Sequence, residues 1–285
     1  MKRVVLSCTH SSTYDFFLPI SIKIWRKRIG YEPVVFLVGA PGEWSSGHRK
    51  VVMDEVRSSG CLVTFLERVS GIPDPNLSMS IRQHAAAIPS LDGSDLLIVG
   101  DVDLLPIRKE FYHQHDPKEF PIAIYHAGMY WDKYWPAYGP SMTVATWREV
   151  MGLTVGDLMG SLLQTFKNGK IEELINAQSK DYTDSRLWVF DEQYASLMIK
   201  VSAFSDKVVR IGDGHENRLC RNNFNADVDV SKCIDFHCHR PGWSHENWGK
   251  IRGIVSQVIP NDLQWLDRYH TEYVCSGPLI GDPFA

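Results

Sequence analysis

Through about residue 107, short runs of β-branched and other apolar residues alternate with amphipathic stretches. That alternation predicts βαβ units around a largely parallel sheet. Residues 4–7 predict the first strand. Over 14–29, Phe17, Ile20, Ile24 and Trp25 recur at helical spacing with basic residues between them, and Gly30 marks the stop. Residues 33–38 predict the second strand, a Gly, Pro and Ser loop follows over 39–47, a helix spans 49–59, and a third strand spans 62–66. Asn76 or Ser78 can cap a helix running through 82–88. The run Asp-Leu-Leu-Ile-Val-Gly at 95–100 then reads as a fully buried strand that ends at Asp101.

Beyond residue 107 the regular alternation gives way to an aromatic-rich stretch (Tyr125, Tyr130, Trp131, Tyr134, Trp135, Tyr138). A helical region over 146–177 follows, then a helix over 189–199 entered through Asp191. A short strand at 233–236 leads into His237-Cys-His-Arg-Pro-Gly-Trp243. The pattern predicts one α/β domain over 1–285, with a second subregion beyond residue 107. No internal repeat or low-complexity tract interrupts it.

Composition narrows the function classes. Apolar residues make up 44% of the 285 and charged residues 22%, enough for a sizeable core. The net charge is −4, and no Lys/Arg run appears, so the chain offers no field for a polynucleotide. Six cysteines without CxxC spacing argue against structural zinc or a disulfide framework. Cys8 and Cys61 are expected to be buried, reduced thiols. The N-terminal apolar run is too short for a signal peptide, and no apolar stretch reaches the ~20 residues of a membrane span. The expected location is cytoplasmic.

Chemistry concentrates at Asp101-Val102-Asp103. In open parallel sheets ligands bind outside the carboxyl ends of the strands, and this triplet stands at such an end. Two carboxylates at i and i+2 offer the hard oxygen ligands that Mg²⁺ or Mn²⁺ prefers. A cation held there can bridge both phosphates of a diphosphate and neutralise charge on a departing nucleotide. The aromatic loop around Trp131, Tyr134 and Trp135 also carries Asp132, Lys133, Pro136 and Gly139. Its rings are candidates to pack on the C–H faces of an acceptor sugar.

The order of elements, with Leu-Leu-Ile-Val-Gly-Asp-Val-Asp as fourth strand and metal turn, resembles the GT-A class of nucleotide-sugar glycosyltransferases. The likeness covers most of the chain. It implies a Rossmann-like, mostly parallel sheet flanked by helices, with a smaller acceptor-binding subregion, a UDP-sugar donor and Mn²⁺ or Mg²⁺. Asp101 would reach toward the ribose or metal, and Asp103 would ligate the metal directly. The segment Asp235-Phe-His237-Cys-His239-Arg-Pro-Gly-Trp243 resembles the His-x-x-Gly-x-Lys-Pro-Trp segment of glycogenin-like members, which makes His237, or alternatively His239, the third metal ligand. Thr9 and Tyr14 would hold the nucleoside, and Arg82 the ribose or diphosphate. Asp191 would be the base that deprotonates the acceptor hydroxyl for single displacement with inversion, although glycogenin-like relatives retain configuration. The chain also resembles glycan-building transferases of chlorella viruses, among them a xylosyltransferase, which would make xylose the transferred sugar, a virus the source and the host cytoplasm the location.

Three other readings compete. An Asp-x-Asp phosphatase would use the motif as a nucleophile, but such motifs follow the first strand. A His-x-His metallohydrolase would rest on His237 and His239, a motif that normally comes early in a fold. A non-catalytic carbohydrate-binding module would need only the aromatic loop.

Overall fold

The computed structural model describes residues 1–129, 134–167, 190–212, 217–224 and 228–278. In chain order the elements are β1 (Lys2–Cys8), α1 (Phe17–Ile24), β2 (Glu32–Val38), α2 (Gly47–Ser59), β3 (Leu62–Leu66), α3 (Asp74–Ile81), β4 (Leu96–Val99), β5 (Leu104–Pro106) and α4 (Lys109–Tyr112). They continue with β6 (Ile122–Tyr125), β7 (Pro140–Thr143), α5 (Val144–Met151), α6 (Leu158–Phe166), α7 (Phe190–Val201), β8 (Val208–Ile211), β9 (Arg218–Cys220), β10 (Asp235–His237), α8 (His245–Val258) and α9 (Leu263–Cys275). The result is an α/β fold with a mostly parallel sheet flanked by helices. Two compact units make up the chain, and both draw segments from either side of residue 107.

The first unit comprises Met1–Val5, Val69–Gly100 and Gln114–Glu216. Its strands run in the order β1-β4-β7-β6-β8. β1 lies parallel to β4 with Lys2 opposite Leu96, and β6 lies parallel to β8; β7 is antiparallel to both β4 and β6. Every residue of β4 is buried, which explains its unbroken apolar run, because both faces of a covered strand must be apolar. Trp147 of α5 donates its indole N–H to the Leu97 carbonyl, tying the helix to that strand. Thr143 caps α5 by accepting from the Thr146 amide, and Gly152 ends it at φ 63°, a left-handed value that glycine adopts without strain.

That glycine interrupts the helical region expected over 146–177. Within its described residues, which end at 167, α5 stops at Gly152 and α6 restarts behind Asp157, whose side chain caps it. The helix expected through 82–88 also begins earlier, at Asp74 behind Pro73, and tightens into a 3₁₀ turn over Arg82–Ala87. Pro89 disfavours helical geometry at Ile88, which is extended at ψ 123°.

The second unit comprises Leu6–Arg68, Asp101–His113 and Asn217–Ala285. β3, β2 and the end of β1 lie side by side, β2 and β3 parallel with Val34 opposite Leu62. Its core is aromatic. Phe16 meets Phe17, Tyr269, Tyr273 and Trp248, and Trp25 meets Tyr31 and Tyr112. The helix expected over 14–29 starts only at Phe17, because residues 11–16 form turns in which the Ser11 carbonyl accepts from the Tyr14 and Asp15 amides. Its last turn widens to π spacing over Trp25–Ile29 before Gly30 closes it at φ 86°. Cys8 is buried as expected, whereas Cys61 is half-buried ahead of β3. Among the described residues no helix is long and apolar enough to cross a membrane.

Candidate active site

A second, three-stranded sheet in this unit, ordered β5-β10-β9, gathers the chemistry. β10 is antiparallel to β5, placing His237 opposite Leu104, and parallel to β9, placing His237 opposite Cys220. The ladder extends one step further, where the Cys238 amide donates to the Asp103 carbonyl at 2.9 Å. Asp103, His237 and Arg221, which follows Cys220, thus meet at one end of the sheet by register alone.

Asp101 and Asp103 occupy the first and third positions of a turn closed by the Leu104 amide on the Asp101 carbonyl, 3.3 Å. Asp is favoured at the first position of such a turn. Asp103 is buried, and its Oδ2 lies 3.3 Å from His237 Nε2, 3.5 Å from Arg240 Nε and 3.7 Å from Arg221 Nη1. None of these reaches hydrogen-bond geometry, so a buried carboxylate oxygen stands without a hydrogen-bond partner. Burial pushes the Asp103 pKa up, but His237, Arg240 and Arg221 together outweigh it and hold the carboxyl below its ordinary value. Asp103 is therefore an anion at neutral pH.

Tyr14 lies under Arg240, whose guanidinium carbon stands 4.8 Å from the ring centroid and which donates to the Tyr14 hydroxyl. Burial raises the Tyr14 pKa to about 12, with Arg240 pulling the other way, so the phenol stays protonated. Thr9 is half-buried one residue past β1. The Arg240–Trp243 segment is pinned from several directions: Trp243 donates to the Ser12 carbonyl, and Asn247 donates to the Pro241 carbonyl. At Gly242 the backbone approaches so closely that a Cβ would sit 2.4 Å from the Phe17 ring.

His239 lies past the end of β10. β10 ends at His237, so the strand alternation that would have kept the two histidines on one side stops there. The His239 ring packs between Phe224 and Phe236, at centroid distances of 5.1 and 6.2 Å. The Asp-Val-Asp turn follows β4, not the first strand where a phosphatase nucleophile belongs.

In the first unit Arg82 and Asp191 form a buried ion pair, Nη2 to Oδ2 at 3.0 Å, with side chains only 5% and 2% exposed. Arg82 also donates to the Gly100 and Met79 carbonyls, and Gln83 donates to the Asp191 carbonyl at 2.6 Å. Asp191 and Glu192 open α7, and Glu192 accepts from the Ala137 amide. Trp135 docks on the same helix, its amide donating to Ser196 and its ring 5.4 Å from Lys200 Nζ. Tyr134 and Trp135 are half-buried, whereas Trp131 lies outside the described residues.

No family model matches the sequence, and no curated protein does. Among solved structures, the apo form of the glycosyltransferase GlyE of Streptococcus pneumoniae matches 96% of this chain at a TM-score of 0.50 and 12% identity. The fold is of the GT-A glycosyltransferase type. This chain spans 64% of the GlyE chain. The galactosyltransferase LgtC, in complex with donor and acceptor sugar analogues, aligns over 100% of this chain and 99% of its own at a TM-score of 0.46 and 13% identity. Glucosyl-3-phosphoglycerate synthase of Mycobacterium tuberculosis, in complex with Mg²⁺ and UDP, covers 93% of this chain and 78% of its own at a TM-score of 0.36 and 13% identity.

Within this GT-A-type fold the residues at the turn fit a divalent cation that would be completed by a substrate. Among the described residues no three His, Cys, Asp or Glu side chains group closely enough to hold a metal alone. Two ligands bound to one ion at about 2.1 Å lie about 3 Å apart. The 3.3 Å between Asp103 Oδ2 and His237 Nε2 matches that spacing, and the carboxylate oxygen, ion-paired but without a hydrogen-bond partner, supplies the donor. Mg²⁺-type ions commonly take one or two protein ligands and fill the rest with water and phosphate. Arg221, Arg240 and Cys220 are the site residues that the sequence pattern did not single out. The only signal for Arg240 was its place in the segment quoted above, and Arg221 had none.

Proposed function

We propose that this chain is a metal-dependent glycosyltransferase that moves a sugar from a UDP-sugar to a hydroxyl group of a glycan. The observation that carries the reading is the buried, ionised Oδ2 of Asp103, which lacks a hydrogen-bond partner and is ringed by His237 and two guanidinium groups on a GT-A-type fold. An anion with that shell suits a cation and a diphosphate arriving together.

In this reading Asp103 and His237 hold Mn²⁺ or Mg²⁺, with Asp101 at the start of the turn contributing to the ion or to the ribose. When bound, the ion neutralises charge on the departing UDP. Tyr14 and Thr9, in the loop after β1, receive the nucleoside. Tyr14 is fixed for that role by the Arg240 guanidinium above it. Asp191 is the base for the acceptor hydroxyl, its carboxylate paired with Arg82, and Tyr134, Trp135 and Trp131 are the candidate residues for binding the acceptor. A carboxylate base with no covalent sugar intermediate implies inversion at the anomeric carbon. Xylose is the first donor sugar to try.

Calorimetry with Mn²⁺ and UDP tests the core. Wild type binds UDP with Mn²⁺ present, and Asp103→Asn loses at least about tenfold in that affinity, the equivalent of 1.4 kcal/mol. Equal binding by the variant would remove Asp103 from the metal and overturn the reading.

A further inference from the structure

Three cationic or potentially cationic groups surround one oxygen of Asp103, and two of them, Arg221 and Arg240, are permanent charges. Both guanidiniums stand within 3.7 Å of the same carboxylate oxygen. The oxygen a cation would use is thus already flanked by positive charge, and a bare divalent ion approaching it is repelled by both guanidiniums. A diphosphate reverses that balance, because it offers the guanidiniums several anionic oxygens in the forked geometry they fit best.

We infer that Arg221 is an exchange residue: it sits on Asp103 when the site is empty and transfers to a diphosphate oxygen when the metal enters, so that metal and diphosphate bind as a pair. The inference rests on the proposed function and adds a residue and a rule to it. Arg221 is suited to the transfer in a way the buried Arg218 is not. Arg218 is 3% exposed and pairs with the fully buried Asp235, whereas Arg221 is 28% exposed, lies 3.7 Å from its carboxylate and makes one long bond, 3.4 Å, to the Cys238 carbonyl. Little holds it on Asp103. It also begins a single 3₁₀ turn, Arg221–Asn223, so a change of rotamer disturbs no helix.

The rule has opposite signs for the two ligands. Removing the guanidinium takes a repulsive charge away from the ion and an attractive one away from the diphosphate. Arg221→Ala should therefore bind Mn²⁺ alone more tightly than wild type, by about threefold or more, and bind UDP with Mn²⁺ more weakly, by about tenfold or more. Because coupling is reciprocal, the factor by which UDP improves Mn²⁺ binding should fall in the same variant. Arg221→Lys keeps the charge but not the fork. It should exclude free Mn²⁺ as wild type does while losing part of the UDP affinity.

The experiment is isothermal calorimetry on wild type, Arg221→Ala and Arg221→Lys with Mn²⁺ alone, UDP alone, both together, and inorganic pyrophosphate with Mn²⁺. Paramagnetic relaxation of water protons reports free Mn²⁺ independently. Unchanged thermal midpoints show that the variants are folded. Opposite shifts for the two ligands, reproduced with pyrophosphate, support the inference. Unchanged or weaker binding of Mn²⁺ alone by Arg221→Ala overturns it even where Mn²⁺ with UDP still binds wild type. Failure of wild type to bind Mn²⁺ with UDP under any condition takes down the parent reading instead.

Discussion

The imidazole Nδ1 of His237 lies 3.6 Å from the sulfur of Cys220, its opposite number in the parallel register of β9 and β10. The other nitrogen, Nε2, points at Asp103. The two contacts define what each nitrogen can do. Without an ion, a proton on Nε2 would face the carboxylate and leave Nδ1 to accept from the thiol. With an ion on Nε2, the proton belongs on Nδ1, and the sulfur becomes the acceptor. A thiol serves both states because it can donate and accept.

Cys220→Ala should therefore weaken Mn²⁺ binding in the presence of UDP by about tenfold, the usual effect of losing a group that orients a ligating histidine. Cys220→Ser, which keeps a group that donates and accepts, should stay within a few-fold of wild type. Calorimetry on both variants checks the pair, and equal losses would mean that the sulfur only fills space.

Gly242 has no room for a methyl group, since a Cβ would meet the buried Phe17 ring at 2.4 Å and Phe16 at 2.9 Å. Gly242→Ala should cost about 1–3 kcal/mol, read as a lower urea midpoint at unchanged slope. The ring cannot yield without displacing Phe16, which stacks on Tyr269. The strain falls instead on the segment carrying Arg240, so UDP affinity should drop as well. Full affinity in a destabilised variant would separate packing from binding.

The Arg82–Asp191 pair can be tested for its own worth. Arg82→Met removes a buried cation from its ion pair with the Asp191 carboxylate and should cost about 3–5 kcal/mol in urea unfolding. The double variant Arg82→Met with Asp191→Leu should recover much of that, because neither charge of the pair then remains. The double variant should have no transfer activity if Asp191 is the base. Activity retained with stability recovered would assign the pair to structure alone.

These tests also show which features local pattern could reveal. The Leu96–Val99 strand and the Asp101–Asp103 turn were readable because a doubly covered strand needs an unbroken apolar run, and because the acidic residues follow it at once. His237 was readable only through resemblance, since the strand that aims it, Asp235–His237, is too short to show a period. Arg221 was invisible. Its position depends on β9 lying in register with β10, a pairing between segments seventeen residues apart, like the 109-residue separation of Arg82 and Asp191. Long-range pairing of polar residues leaves no periodic trace in the chain. The split between α5 and α6 was readable in principle, because Gly152 and Gly156 flank a stretch without helical spacing, yet the apolar residues on either side masked it.

His84 supplies a pH test in the first unit. It is fully buried, with Nδ1 3.0 Å from the Ser80 carbonyl and Nε2 2.9 Å from the Thr165 hydroxyl. A carbonyl cannot donate, so Nδ1 carries the proton and Nε2 accepts from Thr165. Burial lowers its pKa from 6.5 to about 4, partly offset by the bond to Ser80. The unfolded chain thus takes up a proton between pH 6.5 and about 4 that the folded chain refuses. Stability from this group is complete above pH 6.5 and falls as the pH drops toward 4, by about 3 kcal/mol in all. His84→Gln can keep one of the two bonds but cannot charge. It should be less stable than wild type at pH 7.5, and the gap should narrow by about 3 kcal/mol at pH 4. Urea unfolding of both proteins across that range measures the gap, and a gap independent of pH would show that burial leaves the His84 pKa unshifted.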